Sequence, residues 1–371
     1  MAAKNWYEIN NIDQLDSPAL VIYPERVKEN IRLAIEMTGD VSRLRPHVKT
    51  NKTREVTQLM LAAGITKFKC ATIAEAEMLG QCNAPDVLLT YQPVGPKISR
   101  LLALYNKYQQ TVFSCLTDNI SAADAISSAF ASEGKRLDIY IDLNLGQNRT
   151  GIVPGNEAVE LYQYCSKLPG LTLKGLHAYD GHIRDSNIAD RTMTCDKAFS
   201  AVEKMVVELK TKQLPEPVII AGGSPTFPIH AKRQTVECSP GTFVFWDKGY
   251  SDLCPEQPFS IAAALVTRVV SLPAPGLVCL DVGHKSVAAE NELTKRVFFP
   301  GAPGLKAVGQ SEEHLVLDAG SHHPFKIGDI LYGFPQHICP TVALYERAIT
   351  IEEGKISGEW KIVARDRRIE V

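Results

Sequence analysis

At 371 residues, 45% hydrophobic and 22% charged, the chain is long enough for one large α/β unit plus a smaller domain, and its net charge of −2 gives no basic footprint for nucleic acid or an anionic membrane. A small-molecule partner is expected instead. No apolar run is long enough to span a bilayer, residues 1–10 lack the apolar core of a signal peptide, and nine scattered cysteines without a C-x-x-C pair point to reduced cytoplasmic thiols.

In chain order, the apolar run Ser17-Pro18-Ala19-Leu20-Val21-Ile22-Tyr23 leads into a helical pattern whose first residue is Pro24, a position that suits proline. Residues 40–44 predict a strand that ends in Arg45-Pro46-His47-Val48-Lys49-Thr50-Asn51-Lys52, and residues 53–61 predict a helix. A lysine at the carboxyl end of a strand faces the mouth of an α/β sheet or barrel. Arg45, His47 and Lys52 crowd Lys49 with positive charge, which favours the neutral amine that condenses with an aldehyde. Taken alone, the stretch reads equally as a solvated basic loop.

After it, strands are predicted at 68–72, 86–91, 111–116, 137–144, 171–179, 217–221 and 235–238. Helical patterns separate them, among them 73–79, 98–108 and one that Asp118 would cap and that runs through 131. With the lysine strand this makes about eight parallel strands and predicts a (β/α)8 TIM-like barrel, with an open doubly wound sheet as the alternative. From about Pro255 the helical period stops. Strand-like runs at 262–272, 277–282, 315–317, 330–334 and 360–364, separated by turns such as Pro273-Ala274-Pro275-Gly276, predict an all-β domain. The expected division is a barrel over 18–254 and a β-domain over 255–371, with 1–17 packing on the latter.

Several loops carry candidate chemistry. Ala221-Gly222-Gly223-Ser224-Pro225-Thr226 follows the seventh strand, where glycines let backbone N–H groups approach an anion and Ser224 and Thr226 add hydroxyls. It is also a plain turn sequence. Ser239-Pro240-Gly241-Thr242 is the companion loop after the eighth strand, and loops at these two positions of a barrel frequently bind phosphate. His177-Ala178-Tyr179-Asp180-Gly181-His182 ends the sixth strand. His177, inside the strand, reads as structural, whereas His182 suits either a structural role or proton transfer. In Phe334-Pro335-Gln336-His337-Ile338-Cys339-Pro340-Thr341, a strand would put His337 and Cys339 on one face, and imidazole plus thiolate suits zinc.

R-P-H-x-K-T resembles the cofactor-lysine motif of the D-threonine aldolase / D-serine dehydratase family, pyridoxal-phosphate enzymes related to alanine racemase. The resemblance runs along nearly the whole chain. It implies an alanine-racemase-like pyridoxal-phosphate barrel followed by a β-domain, and it assigns the cofactor to Lys49. Leu145-Gly146-Gln147-Asn148-Arg149-Thr150-Gly151 resembles the N-R-x-G turn of alanine racemases and gives Arg149 a contact to the cofactor's phenolic oxygen. Tyr179 would face the cofactor; Gly222, Gly223, Ser224, Thr226 and Ser239 would line its phosphate and ring. Ser239 stands where alanine racemases have an arginine facing the pyridine nitrogen, a departure that counts against simple racemase chemistry. H-x-C followed by P-T-V implies a divalent metal, zinc or manganese, on His337 and Cys339. The implied function is a lyase of 3-hydroxy D-amino acids, by Cα–Cβ cleavage or by elimination of water, in a homodimer. An amino-acid racemase and a non-catalytic pyridoxal-phosphate carrier are the alternatives.

Overall fold

The structure is a computed structural model that describes residues 5–371, so residues 1–4 of the expected N-terminal packing segment lie outside it. The chain forms two compact units. One comprises Arg32–Lys49, Thr57–Gly241 and Asp366–Val371; the other comprises the segment up to Ile31, Thr50–Val56 and Thr242–Arg365.

The first strand, β1 (Ala19–Ile22), belongs to the second unit. In the first unit β2 (Lys67–Cys70), β3 (Asp86–Leu89), β4 (Val112–Thr117), β5 (Leu137–Asp142), β6 (Leu171–Ala178), β7 (Val218–Ala221) and β8 (Val236–Cys238) pair in sequence order, all parallel, in a seven-stranded sheet. Helices such as Ile73–Gln81, Pro96–Lys107, Ile120–Ala131, Asn156–Cys165 and Ile188–Thr211 connect them. The strands are largely buried, though several carry polar residues, such as Lys69 in β2, Asp142 in β5 and Glu237 in β8. Leu88, Leu116, Tyr140 and Ile220 from four different strands form one buried cluster.

The eighth position is filled by residues 44–47. Leu44 bridges Cys238 of β8, and His47 bridges Lys69 of β2, both in the parallel sense. The Arg45 N–H donates to the Cys238 carbonyl (2.8 Å), the His47 N–H to the Pro240 carbonyl (2.9 Å), and Pro46 accepts from Lys69 N–H (2.8 Å). The expected lysine strand is therefore not a regular strand. Pro46 has no N–H to continue a ladder, and the chain turns at once into a 3-10 turn, Val48–Thr50, which carries Lys49. Arg45 fixes this segment. Its buried guanidinium donates to both oxygens of Asp86 (2.6 and 2.8 Å) and to Glu237 (2.7 Å). Burial disfavours its charge, but those two carboxylates more than offset this and hold it protonated. A smaller correction concerns the helix Ile120–Ala131: Asn119, not Asp118, caps it, and the Asp118 carboxylate instead accepts from the Gly151 N–H (2.8 Å).

The second unit adds β9 (Ala263–Ser271), β10 (Leu277–Leu280), β11 (Val297–Phe298), β12 (Lys306–Gln310), β13 (Leu315–Asp318), β14 (Ile330–Pro335), β15 (Arg347–Glu352) and β16 (Lys355–Lys361). With β1 they make a nine-stranded, mostly antiparallel sheet in the order β12-β13-β10-β9-β1-β15-β16, with β14 pairing β9 and β11. The exception is β1, antiparallel to β9 and parallel to β15. Tyr7, Ile9, Leu15 and Val21 pack with Val266, Phe334 and Ile351 in one buried core. The run 360–364 is not a strand as expected: β16 ends at Lys361, and Val363–Arg365 is a 3-10 turn. The unit is also not wholly β. Helix Ile338–Val342 follows His337, because Pro340 falls in a first helical turn, where a missing N–H is tolerated.

Replacing Arg45 by Ala leaves Asp86 and Glu237 without their shared cation. A loss of about 3–5 kcal/mol in unfolding free energy is expected, measured by denaturant titration, whereas a surface control such as Arg32→Ala should change it by under about 1 kcal/mol.

Candidate active site

The carboxyl ends of the parallel strands bring together residues far apart in sequence. Tyr179, just past β6, presents a ring with three cations near it: Lys49 Nζ at 5.8 Å, Lys69 Nζ at 5.4 Å and the Arg149 guanidinium at 5.1 Å from its centroid. Lys49 is half-buried and Arg149 exposed. Lys69, only 1% exposed, belongs to β2, and nothing in the sequence reading singled it out. The available signal was a charged residue inside a strand of a doubly covered sheet. Its Nζ lies 3.0 Å from His177 Nε2 and donates to the Ser239 hydroxyl (2.8 Å). Ser239 in turn donates to the Gly222 carbonyl (2.8 Å). Burial, and then repulsion from Lys49, push the Lys69 ammonium down to about 7.

His177 is buried, and its Nδ1 lies 2.7 Å from Asp142. Burial and the charge of Lys69 lower its pKa, and Asp142 only partly opposes them. For Asp142, burial works against the charge, but the bond from His177 outweighs it and keeps the carboxyl below its usual range. The His177 Nδ1–H therefore donates to Asp142, and its Nε2 accepts from Lys69.

The Gly222–Thr226 loop is tightly built. Gly222 has φ +81°, and a Cβ there would meet His230 at 2.8 Å; a Cβ on Gly223 would meet the Tyr179 ring at 3.0 Å. Side chains at either position would fill the cradle, so the loop fits a bulky anion beside the Tyr179 ring. The Ser224 hydroxyl accepts from Gly241 N–H (3.5 Å), tying this loop to its companion after β8. Thr226 does not present its hydroxyl proton, which it donates to buried Asp180 (2.6 Å) while accepting from Gly223 N–H (3.2 Å). Asp180 also accepts from His230 Nε2 (2.8 Å) and lies 3.6 Å from the Cys195 sulfur. Ligand atoms of Asp180, Cys195 and His230 lie within 4.8 Å of one another. However, Arg233 Nη1 stands 3.1 Å from His230 Nδ1 and can only donate, so the proton sits on Nε2 and points at Asp180. Burial pushes the Cys195 thiol up to about 12. That protonation pattern is a hydrogen-bond network supporting the loop.

Arg149 belongs to a turn that the Asn144 side chain organises, accepting from Gly146 N–H (3.0 Å) and Asn148 N–H (3.1 Å). His182 is exposed and stands against the Arg149 turn: a Cβ on Gly146 would lie 3.3 Å from its ring, and it lines a cavity of about 430 Å³ with Leu145, Asn148, Val153, Pro154 and Thr194. Lys49 and Tyr179 are not among that cavity's lining residues.

In the second unit His337 precedes, and Cys339 lies within, the short helix Ile338–Val342, so the strand geometry expected for the pair is replaced by a helix N-terminus. His337 Nδ1 is 2.6 Å from Glu290, and the Cys339 sulfur lies 3.1 Å from the Thr50 hydroxyl and 3.6 Å from that of Thr242. Burial lowers the His337 pKa, but the bond to Cys339, the charges of Cys339 and Asp247 and the bond to Glu290 outweigh it and raise it to about 9. Imidazole, thiolate and a carboxylate on the second ring nitrogen match a zinc-type donor set with its orienting partner. Glu290 had no signal in the sequence.

Comparison with known proteins bears directly on this fold and site. The family described as "Alanine racemase, N-terminal domain" matches residues 22–248, and "Putative serine dehydratase domain" matches residues 262–351. The chain belongs to the alanine racemase N-terminal domain family. It is 28% identical over 360 residues to a D-threonine aldolase of an Arthrobacter species, and 27% identical over 372 residues to a 3-hydroxy-D-aspartate aldolase of Paracoccus denitrificans; each match covers 95% of this chain and 93% of the relative. The crystal structure of D-threonine aldolase from Filomicrobium marinum superposes with a TM-score of 0.88 at 25% identity, covering 98% of this chain and 99% of that one. Among the described residues, no helix is long and apolar enough to cross a membrane.

The Lys69 pKa has a stability consequence with a fixed sign. Its folded value, about 7, is below the unfolded one, so the unfolded state binds more protons between the two and wild-type stability falls as pH is lowered through that window. For cofactor-free protein, Lys69→Met is expected to gain stability relative to wild type as pH falls from about 10 to 7, and to gain nothing further below that. Urea denaturation of both proteins across this range checks it.

Proposed function

We propose that the protein is a pyridoxal-phosphate- and divalent-metal-dependent lyase acting on 3-hydroxy D-amino acids. The observation that carries this reading is the gathering of Lys49, Arg149 and the Gly222–Ser224 cradle around the Tyr179 ring, in a chain whose full length resembles lyases of such substrates. Lys49 would hold the cofactor through its amine. Gly222, Gly223, Ser224 and Ser239 would receive its phosphate and ring, and Arg149 and Tyr179 would orient it. Bound there, pyridoxal phosphate supplies an electron sink for the bond broken at the substrate's Cα. His337 and Cys339 would hold a divalent metal, zinc or manganese, whose Lewis acidity serves the substrate's 3-hydroxyl.

The residues themselves bind, orient and move protons. The Lys49 amine, when not bonded to the cofactor, would be the base for the substrate's Cα proton. Glu290 fixes the imidazole tautomer so that His337 offers its other nitrogen to the metal. Two net reactions are compatible with this machinery. Removal of the hydroxyl proton with Cα–Cβ cleavage gives glycine and an aldehyde. Removal of the Cα proton with departure of hydroxide gives, after hydrolysis, a keto acid and ammonia. Proton transfer by His182 would have to come from its own cavity wall, so we assign it the substrate periphery rather than the ring. We further propose a homodimer working in the cytoplasm.

The deciding experiment incubates purified protein with D-threonine, D-serine and 3-hydroxy-D-aspartate, with and without a chelator, and identifies the carbonyl product. Glycine plus aldehyde assigns the aldolase reaction, and keto acid plus ammonia the dehydratase reaction. Turnover that survives chelation would remove the metal from the proposal, and racemisation without cleavage would sink the lyase reading. Lys49→Ala is expected to abolish measurable turnover together with the absorbance of the lysine-bound cofactor. His337→Ala should keep that absorbance and lower turnover on the order of a hundredfold.

A further inference from the structure

Lys69 is a buried amine that the reading above leaves unused, and its surroundings are specific. Asp142 takes the proton of His177 Nδ1, so His177 Nε2 is an acceptor and Lys69 donates to it at 3.0 Å. Lys69 also donates at 2.8 Å to Ser239 Oγ, whose own proton goes to the Gly222 carbonyl. A neutral amine has two N–H donors and a lone pair, and an ammonium has three donors. With two donors fixed, Lys69 exchanges its third proton for a lone pair without breaking either hydrogen bond.

The charges facing Lys69 come from every side of the strand ends. Lys49 on its 3-10 turn and Arg45 on the closing segment push its proton off; Asp142 at the end of β5 and Asp180 beyond β6 hold it on. His177 carries the influence of Arg149 as well, and the Tyr179 ring faces both amines. Arg45 is locked to Asp86 and Glu237, and Asp180 to His230 and Thr226. Of these groups, Lys49 is the one whose charge the proposed chemistry changes.

We propose that Lys69 is a second acid–base group of this site, the acceptor of the proton released when the Lys49 ammonium condenses with an aldehyde. The inference rests on Lys49 carrying the cofactor, as proposed above. The balance is simple: an ammonium and an aldehyde form a carbon–nitrogen double bond, two hydrogens of the ammonium leave with the aldehyde oxygen as water, and the third leaves as a proton. Lys69 takes that proton on its lone pair, so the site keeps one positive charge throughout. Lys69 keeps that proton when an amino acid displaces Lys49, so the freed amine would stay neutral and able to act as a base. His177 and Asp142 are positioning residues for this exchange, holding the amine over the Tyr179 ring that Lys49 also approaches.

The test follows lysine charge directly, by 13C NMR of protein labelled at lysine Cε, with the Lys69 signal assigned by its disappearance in Lys69→Arg. Three titrations are compared: cofactor-free wild type, wild type loaded with pyridoxal 5'-phosphate, and cofactor-free Lys49→Met. The Lys69 midpoint is expected to rise by about one pH unit or more on loading and in Lys49→Met, because each removes the facing ammonium. A Lys69 midpoint that is the same in all three overturns the proposal. Borohydride reduction of the loaded protein and peptide mapping locate the adduct independently. An adduct at Lys49 with an unmoved Lys69 midpoint defeats this inference alone. An adduct on Lys69, or none, defeats the cofactor assignment, and the Lys49→Met titration then still decides whether the two amines share their charge.

Discussion

The guanidinium of Arg45 sits where a ring of parallel strands has to close, and the placement of Lys49 follows from how that closure is made. Seven ordinary strands leave β2 and β8 as two edges, and the segment between them contains a proline that cannot complete a ladder. Single bridges and three backbone hydrogen bonds are weak closure by themselves. Arg45 adds charge-assisted bonds to Asp86 of β3 and Glu237 of β8, and Lys67 of β2 also reaches Glu237. With the segment anchored on both sides, the chain is free to leave the sheet directly after His47, and a tight turn delivers Lys49 to the strand ends.

The electrostatics of the site repeat one solution at two places. An anion cradle and several cations share a buried volume with two carboxylates, and each carboxylate is neutralised locally. Asp142 is bound to His177, and Asp180 to His230 and Thr226. Both carboxyls are thereby held in the charged form despite burial. Each imidazole has its tautomer set by a cation on its far nitrogen, Lys69 in one case and Arg233 in the other. The result is a pair of three-group chains, Asp142–His177–Lys69 and Asp180–His230–Arg233, that hold the Lys69 amine and the glycine turn with each carboxylate paired.

What could be read from the sequence was whatever is contiguous in it. The R-P-H-x-K-T stretch, the Gly-Gly-Ser turn, the Arg149 turn and the end of β6 each offer a candidate role within a few residues, and the strand–helix alternation gives their order around the barrel. Contacts made across the sheet were hidden: Lys69 with His177 and Ser239, Asp180 with His230, and Glu290 with His337 join residues 47 to 170 positions apart. Two local errors have physical causes. Pro46 removed the strand that alternation implied, and Pro340 was compatible with a first helical turn where a strand was expected. The short strands β11, β12 and β15 lack the long apolar runs that betray β9 and are specified by their neighbours.

The position of β1 also shapes how the polypeptide can be made. This strand precedes every barrel strand in the chain, yet it pairs on one side with β9 and on the other with β15, both formed from residues beyond 260. On a ribosome, β1 must wait unpaired through the emergence of nearly the entire barrel, with its four buried apolar residues lacking their sheet. The barrel strands, paired in sequence order, face no such delay. Pairing of β1 is thus a late, long-range event that cannot begin until β9 has emerged.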